Sequence, residues 1–263
     1  MFKWSERQRS RGGTGRQLAV WLTVWAAVGC GGAQAGRPIE LAANEWQPYT
    51  GSDVPKQGVA TQIVRTALQR AGYAVTVRFS NWPRALHSTY QGGVDGLVAV
   101  WSTSLRSERL LFSEKYLENR IAVVGTAQRF VRVQRLGELR GLKVGIGRDY
   151  DYSEEFLSET GIVTQPVDHA LQNLLKLTLG RIDAAIEDRL IIQYNIVRHS
   201  AEHPQLRTVI LSNSDVLVLP IRLGIRKDLP DAEAIVRDFD RALSDMRRDG
   251  TLKAILKEWH IVP

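Results

Sequence analysis

The chain has 263 residues, with 35 Lys and Arg against 28 Asp and Glu, a formal charge of +7 and 44% hydrophobic residues. That balance excludes a disordered, collagenous or coiled-coil protein, and a single cysteine excludes an intrachain disulfide framework and a Cys-rich zinc site. The length allows one large or two modest domains.

Much of the positive charge lies at the start. Lys3, Arg7, Arg9, Arg11 and Arg16 are opposed by Glu6 alone. Thirty-five basic residues less five, and 28 acidic less one, leave a net charge of +3 on the remainder. Its cations are dispersed, which reads as a solvated mixed surface and not as a nucleic-acid face. An apolar run from Leu18 to Gly29 follows, short of the ~20 residues that span a bilayer. The small residues Ala33-Gln34-Ala35 come next. Together these predict a secretory signal over residues 1–35 and a protein released to the periplasm. Ala27-Val28-Gly29-Cys30 offers the competing reading of a lipid anchor at Cys30.

Beyond residue 36, strand and helix signals alternate, which predicts an α/β fold. Pro38–Ala42 reads as a strand and Asn44–Asp53 as a loop. Val59, Ile63, Val64, Ala67, Leu68 and Ala71 fall at helical spacing, with Gly72 as a stop. Ala74–Phe79 alternates like a strand, Trp82–Tyr90 reads as a helix, and Val94–Trp101 is a compact apolar strand. The pattern then repeats. Lys143–Gly147 is a strand, and Asp151 with Glu154 suggests a capping box for a helix through Leu157. Asp168 is expected to cap a helix through Leu179, followed by a strand at Ile182–Ile186. Ile235, Phe239, Ala242, Leu243 and Met246 mark a long helix that ends at Gly250, and Thr251 is expected to cap a last helix through Trp259. Two α/β units without a flexible linker predict two lobes with a ligand cleft between them.

Enzyme signatures are mostly missing. There is no Gly-x-Ser-x-Gly elbow, Walker loop or dinucleotide fingerprint, and the five histidines are scattered. No metal ion or cofactor is expected. The informative stretch is Thr103-x-x-Arg106, five residues, then Phe112-Ser113-x-x-Tyr116. It resembles the signature of the family 3 bacterial extracellular solute-binding proteins, the polar amino-acid type. Gly92–Gly96, Gly141–Ile146, Gly180–Asp188 and Asp249-Gly250-Thr251 with Trp259 resemble further family motifs, in order.

The resemblance implies a two-lobed type II periplasmic binding protein fold that closes about a hinge on a small amino-acid-like or carboxylated solute. The solute would pass to the membrane permease of an ABC importer, with the protein acting as a monomer. Lobe one would be 36–119 with 221–263 and lobe two 120–220, the chain crossing at Glu118–Ile121 and Pro220–Leu223. Arg106 offers a planar fork suited to a carboxylate, and the family places a ligand carboxylate at that position. Asp188 corresponds to the family's acceptor for the ammonium group. Trp46, Tyr49, Trp82, Trp101, Thr103 and Tyr150 complete the candidate ligand-binding set. Ala99 and Trp101 stand where amino-acid binders often carry Gly and Thr. Two other readings share the scaffold: a secreted enzyme resembling cyclohexadienyl dehydratases, with Asp188, Glu187 or Asp149 as acid or base, and a stand-alone sensor or partner-binding module.

Overall fold

The structure, a computed structural model, describes residues 37–127, 136–148 and 161–261. The expected signal segment, Cys30, Asp149, Tyr150 and the expected helix over 151–157 lie outside the described residues.

The first half begins with β1 (Arg37–Ala43), α1 (Val59–Arg70), β2 (Tyr73–Phe79), α2 (Trp82–Tyr90) and β3 (Gly96–Val100). β1 pairs in parallel with β2 on one side and β3 on the other. A one-turn helix α3 (Ser104–Ser107) and the short strand β4 (Leu110–Phe112) follow. The second half repeats the plan with β6 (Lys143–Gly147), β7 (Val163–Val167), α4 (Ala170–Thr178) and β8 (Ala184–Asp188). There β6 lies in parallel between β7 and β8. Helix α5 (Arg189–His199) and strand β9 (Val209–Leu211) come after β8.

Two ten-residue strands, β5 (Leu117–Thr126) and β10 (Leu217–Arg226), join the halves. The start of β10 pairs with β5 over Leu217–Ile221, and its end pairs with β3 and β4. The far end of β5 pairs with β8 and β9. Both are antiparallel to their neighbours, so each half is a parallel three-strand unit closed by one antiparallel strand.

Local sequence explains these elements. β3 reads as an unbroken apolar run because it is buried on both faces. α1 places Val59, Ile63, Val64, Ala67 and Leu68 on one buried stripe. Gly72 then takes φ +88°, which ends the helix at little steric cost. Helices α6 (Ala232–Arg248) and α7 (Thr251–Glu258) cover the same sheet face as α1 around Phe239, Ile63 and Leu68. Each large side chain buried there contributes about 1.5–3 kcal/mol. α2 covers the opposite face through Ala85.

The motif residues have structural work that the sequence did not reveal. Asp95 and Asp183 play the same part in the two halves. Each begins a strand by accepting a backbone amide with its carboxylate, from Glu40 and Lys143, both at 2.9 Å. Tyr116 donates its hydroxyl to the Val98 carbonyl at 2.7 Å, and Ser113 accepts from the Leu223 amide at 3.0 Å. They tie the chain after β4 to β3 and β10.

Three local expectations need correction. His169, not Asp168, holds the cap position of α4, and Asp168 instead accepts from Arg148 Nε at 2.7 Å. The strand expected over 182–186 runs over 184–188. The last helix is capped by Gly250 at φ +83°, while Thr251 is its first residue.

Candidate functional site

A cavity of about 580 Å³ is lined by both halves. Its wall contains Asn44–Gln47 after β1, Ser80–Pro83 after β2, and Ala99–Trp101 at the end of β3. From the second half come Gly147 at the end of β6 and Arg148 after it, Asp168–Ala170 after β7, Glu187 at the end of β8, and Ile191 and Asn195 of α5. All six parallel strands thus deliver their carboxyl ends to one place, where α/β sheets bind ligands.

Arg106 is 5% exposed and lines this cavity. The Thr103 side chain accepts from the Arg106 amide at 3.2 Å and so starts the short helix that carries it. The guanidinium donates to the Trp101 carbonyl at 3.0 Å. Three tryptophans line the same cavity: Trp46, Trp82 and Trp101. Trp46 meets Trp101 edge-on, centroids 6.2 Å apart, and lies 4.7 Å from the Tyr49 ring. The loop that holds Trp46 closes by paired backbone bonds between Trp46 and Thr50 and contains a cis Gln47–Pro48 bond. Gly58 makes the loop's seat. It sits at φ +97°, and a Cβ there would lie 2.3 Å from the Tyr49 carbonyl oxygen.

Four of the expected ligand residues therefore share the cavity wall: Trp46, Trp82, Trp101 and Arg106. Thr103, Tyr49 and Asp188 are not among its lining residues, and Tyr150 lies outside the described set. Asp188 is 1% exposed and bonded from three directions. Its Oδ1 accepts from the Leu190 and Ile191 amides at 2.8 and 3.0 Å, capping α5. Its Oδ2 accepts from the Tyr49 hydroxyl at 3.0 Å, the Asn119 side chain at 3.1 Å and the Arg120 amide at 2.9 Å. Burial raises the Asp188 pKa, and these bonds oppose the rise. Burial first, and then the Asp188 charge, push the Tyr49 hydroxyl well above its ordinary range, so Tyr49 stays a donor. Asn119 also accepts from Trp101 Nε1 at 2.7 Å. A buried relay thus runs from the cavity wall through β5 to the cap of α5.

The sequence reading lacks Asn119, and it holds Glu187 only as a candidate acid or base. Asn119 carries no local signal, being a buried amide within a strand. Glu187 does carry one. It precedes a residue that caps a helix, so strand alternation turns it the other way.

Residues 39–261 match the bacterial extracellular solute-binding proteins, family 3. The chain belongs to that family. This family 3 protein is 24% identical over 214 residues to the L-cystine-binding protein TcyJ of Escherichia coli (strain K12), covering 80% of this chain and 77% of the relative. Among solved structures, it is similar to a histidine kinase sensor domain with similarity to periplasmic binding proteins. That likeness has a TM-score of 0.72 and 21% identity, over 86% of this chain and 96% of the other. An ancestral arginine-binding protein bound to arginine gives a TM-score of 0.69 at 19% identity, over 86% and 99%. The fold is the mixed α/β fold of periplasmic binding proteins. Among the described residues of this solute-binding protein, no helix is long and apolar enough to cross a membrane.

Proposed function

We propose that this solute-binding protein captures a small zwitterionic solute of the amino-acid type in the cavity between two lobes, and presents it to the permease of an ABC importer from the periplasm. Lobe one would be 36–119 with 221–263, lobe two 120–220, and closure would bend β5 and β10 where they run between the lobes. Ligand contacts on both sides would favour the closed state.

The observation that carries this reading is Arg106. A buried guanidinium in a cavity wall lined by three tryptophans offers a desolvated, oriented partner for a carboxylate. The relatives named for cystine and arginine binding support an amino-acid ligand. The test is a thermal-shift screen of the protein amino acids and L-cystine, followed by calorimetry on wild type and Arg106→Ala. Removing one side of a buried charge pair costs about 2–5 kcal/mol, or roughly 30- to 4,000-fold in Kd. Near-wild-type affinity in Arg106→Ala would end the carboxylate role.

A further inference from the structure

Helix α5 supplies one wall of the cavity, and its two faces do different work. Ile192 and Ile196 pack into the core of the second half with Leu174 and Leu206. Ile191, Asn195 and Arg198 recur at i, i+4 and i+7 and so share another face. That face turns to the first half. Ile191 enters the apolar cluster that holds Tyr49 and Trp101. Ile191 and Asn195 line the cavity, and Arg198 comes within 3.7 Å of the Asp53 carboxylate. The helix thus runs along the cavity from the Asp188 cap to an ion pair with the first half.

Asn195 stands midway, seven residues and about 10 Å of axis beyond the cap. Its Nδ2 donates to the Ile191 carbonyl at 2.8 Å. A carbonyl only accepts, so this bond decides which end of the amide carries the nitrogen. The other end, Oδ1, is an acceptor, and among the described residues no donor reaches it. Other polar side chains on the wall hold their own loops. Glu45 accepts from the Ser52 amide and hydroxyl, Asn81 caps α2, and Arg148 pairs with Asp168.

We infer that Asn195 Oδ1 reads the side chain of the solute. It selects side chains carrying a hydrogen-bond donor, such as an amide, hydroxyl or guanidine, over apolar ones of the same length. This rests on the amino-acid reading above and concerns the part of the solute that Arg106 does not hold. Arg106 takes the carboxylate from the first half, and α5 meets what extends from it. A bound solute displaces water from Oδ1. A donor on the solute replaces that water, whereas a methyl or thioether leaves the oxygen without a partner. A site built around one polar group discriminates in this way against analogues lacking its complement.

The test uses the whole protein and calorimetry with four amino acids. L-Glutamine and L-arginine carry side-chain donors; L-methionine and L-norleucine are of similar reach and carry none. Wild type is expected to bind the better of the first two about tenfold more tightly than either of the others. Asn195→Leu should weaken the donor-bearing ligand by about tenfold and leave L-methionine within about threefold. Asn195→Asp keeps an acceptor there and should keep the preference. A wild type without the preference, an equal loss for both kinds of ligand in Asn195→Leu, or an undiminished preference in that variant would each overturn the assignment. Those results leave amino-acid capture standing, provided that Arg106→Ala weakens all four alike. A folded wild type that binds no amino acid at millimolar concentration would remove both. If Asn195→Leu fails to fold, Asn195→Ala, a better helix former, replaces it with the same expected outcomes.

Discussion

The Arg106 guanidinium carbon lies 5.0 Å from the centroid of the Trp82 ring. Trp82 is the first residue of α2, whose start is fixed by Asn81 accepting from the Arg84 amide at 3.0 Å. The tryptophan therefore presents a rigid face against which the cation is held. A contact of this kind contributes about 0.5–1 kcal/mol when exposed and about 2 kcal/mol when desolvated. Trp82→Leu is expected to cost up to about 2 kcal/mol of stability and to weaken a carboxylated ligand by up to about 30-fold. Calorimetry with the amino acid found by the screen checks it. An unchanged Kd would mean that the Trp82 face does not help to orient Arg106 for the ligand.

Tyr49→Phe should cost about 1–3 kcal/mol, the usual result of removing a partner from a buried charged group. For a protein of this size that lowers the thermal midpoint by roughly 2–4 °C per kcal/mol. Differential scanning calorimetry at neutral pH measures it directly.

Gly58→Ala and Gly72→Ala form a matched pair. Both glycines have positive φ, but a Cβ at Gly58 would meet the Tyr49 carbonyl, whereas one at Gly72 meets nothing within 4 Å. Gly72→Ala should cost about 1–2 kcal/mol from backbone strain alone. Gly58→Ala should cost more and also weaken ligand binding, because the loop bearing Trp46 must move. Equal effects in urea unfolding would show that the close approach is relieved cheaply.

Asp249 makes an acid-sensitive tether. It accepts from Arg70 at 2.5 Å and from the Thr251 amide at 2.9 Å, joining α1 to the turn between α6 and α7. Its bonds to Thr251, and then to Arg70, lower its pKa from 3.8 to about 2. A depressed carboxylate stabilises the fold fully above its unfolded value. That contribution declines as the pH falls below 3.8 and is gone once it passes below about 2. Asp249→Asn should therefore be less stable than wild type at pH 7, and the gap should shrink on acidification from pH 4 toward 2 in urea titrations. A gap independent of pH would show that the carboxylate charge is not its source.

The legible parts of this fold are those with a single dominant period. α1 and α2 were read within two residues of their bounds because their buried positions follow one stripe or one clean cap. α5 gave no such signal. Leu190, Ile191, Ile192, Ile196 and Val197 surround its axis, and Val197 is 84% exposed, so no face stands out. In the site, Arg106 was found through its motif. Asp188 was found by the same route, but its hydrogen bonds are decided by Tyr49 and Asn119, 139 and 69 residues away in sequence. Glu187 is legible only as a candidate acid or base of the enzyme reading, because the expected strand stops one residue short of it.

The donors to Asp188 lie at very different sequence separations, so they are expected to engage at different stages of folding. Leu190 and Ile191 are two and three residues away, so the cap can form with the first turn of α5. The Tyr49 bond closes a loop of 139 residues and waits for β1, β5 and β8 to come together. Loss of the Tyr49 hydroxyl should therefore be felt almost wholly in the unfolding rate, and loss of the cap partly in the refolding rate. One carboxylate would thereby take part in both an early and a late step of assembly, with one oxygen engaged in each.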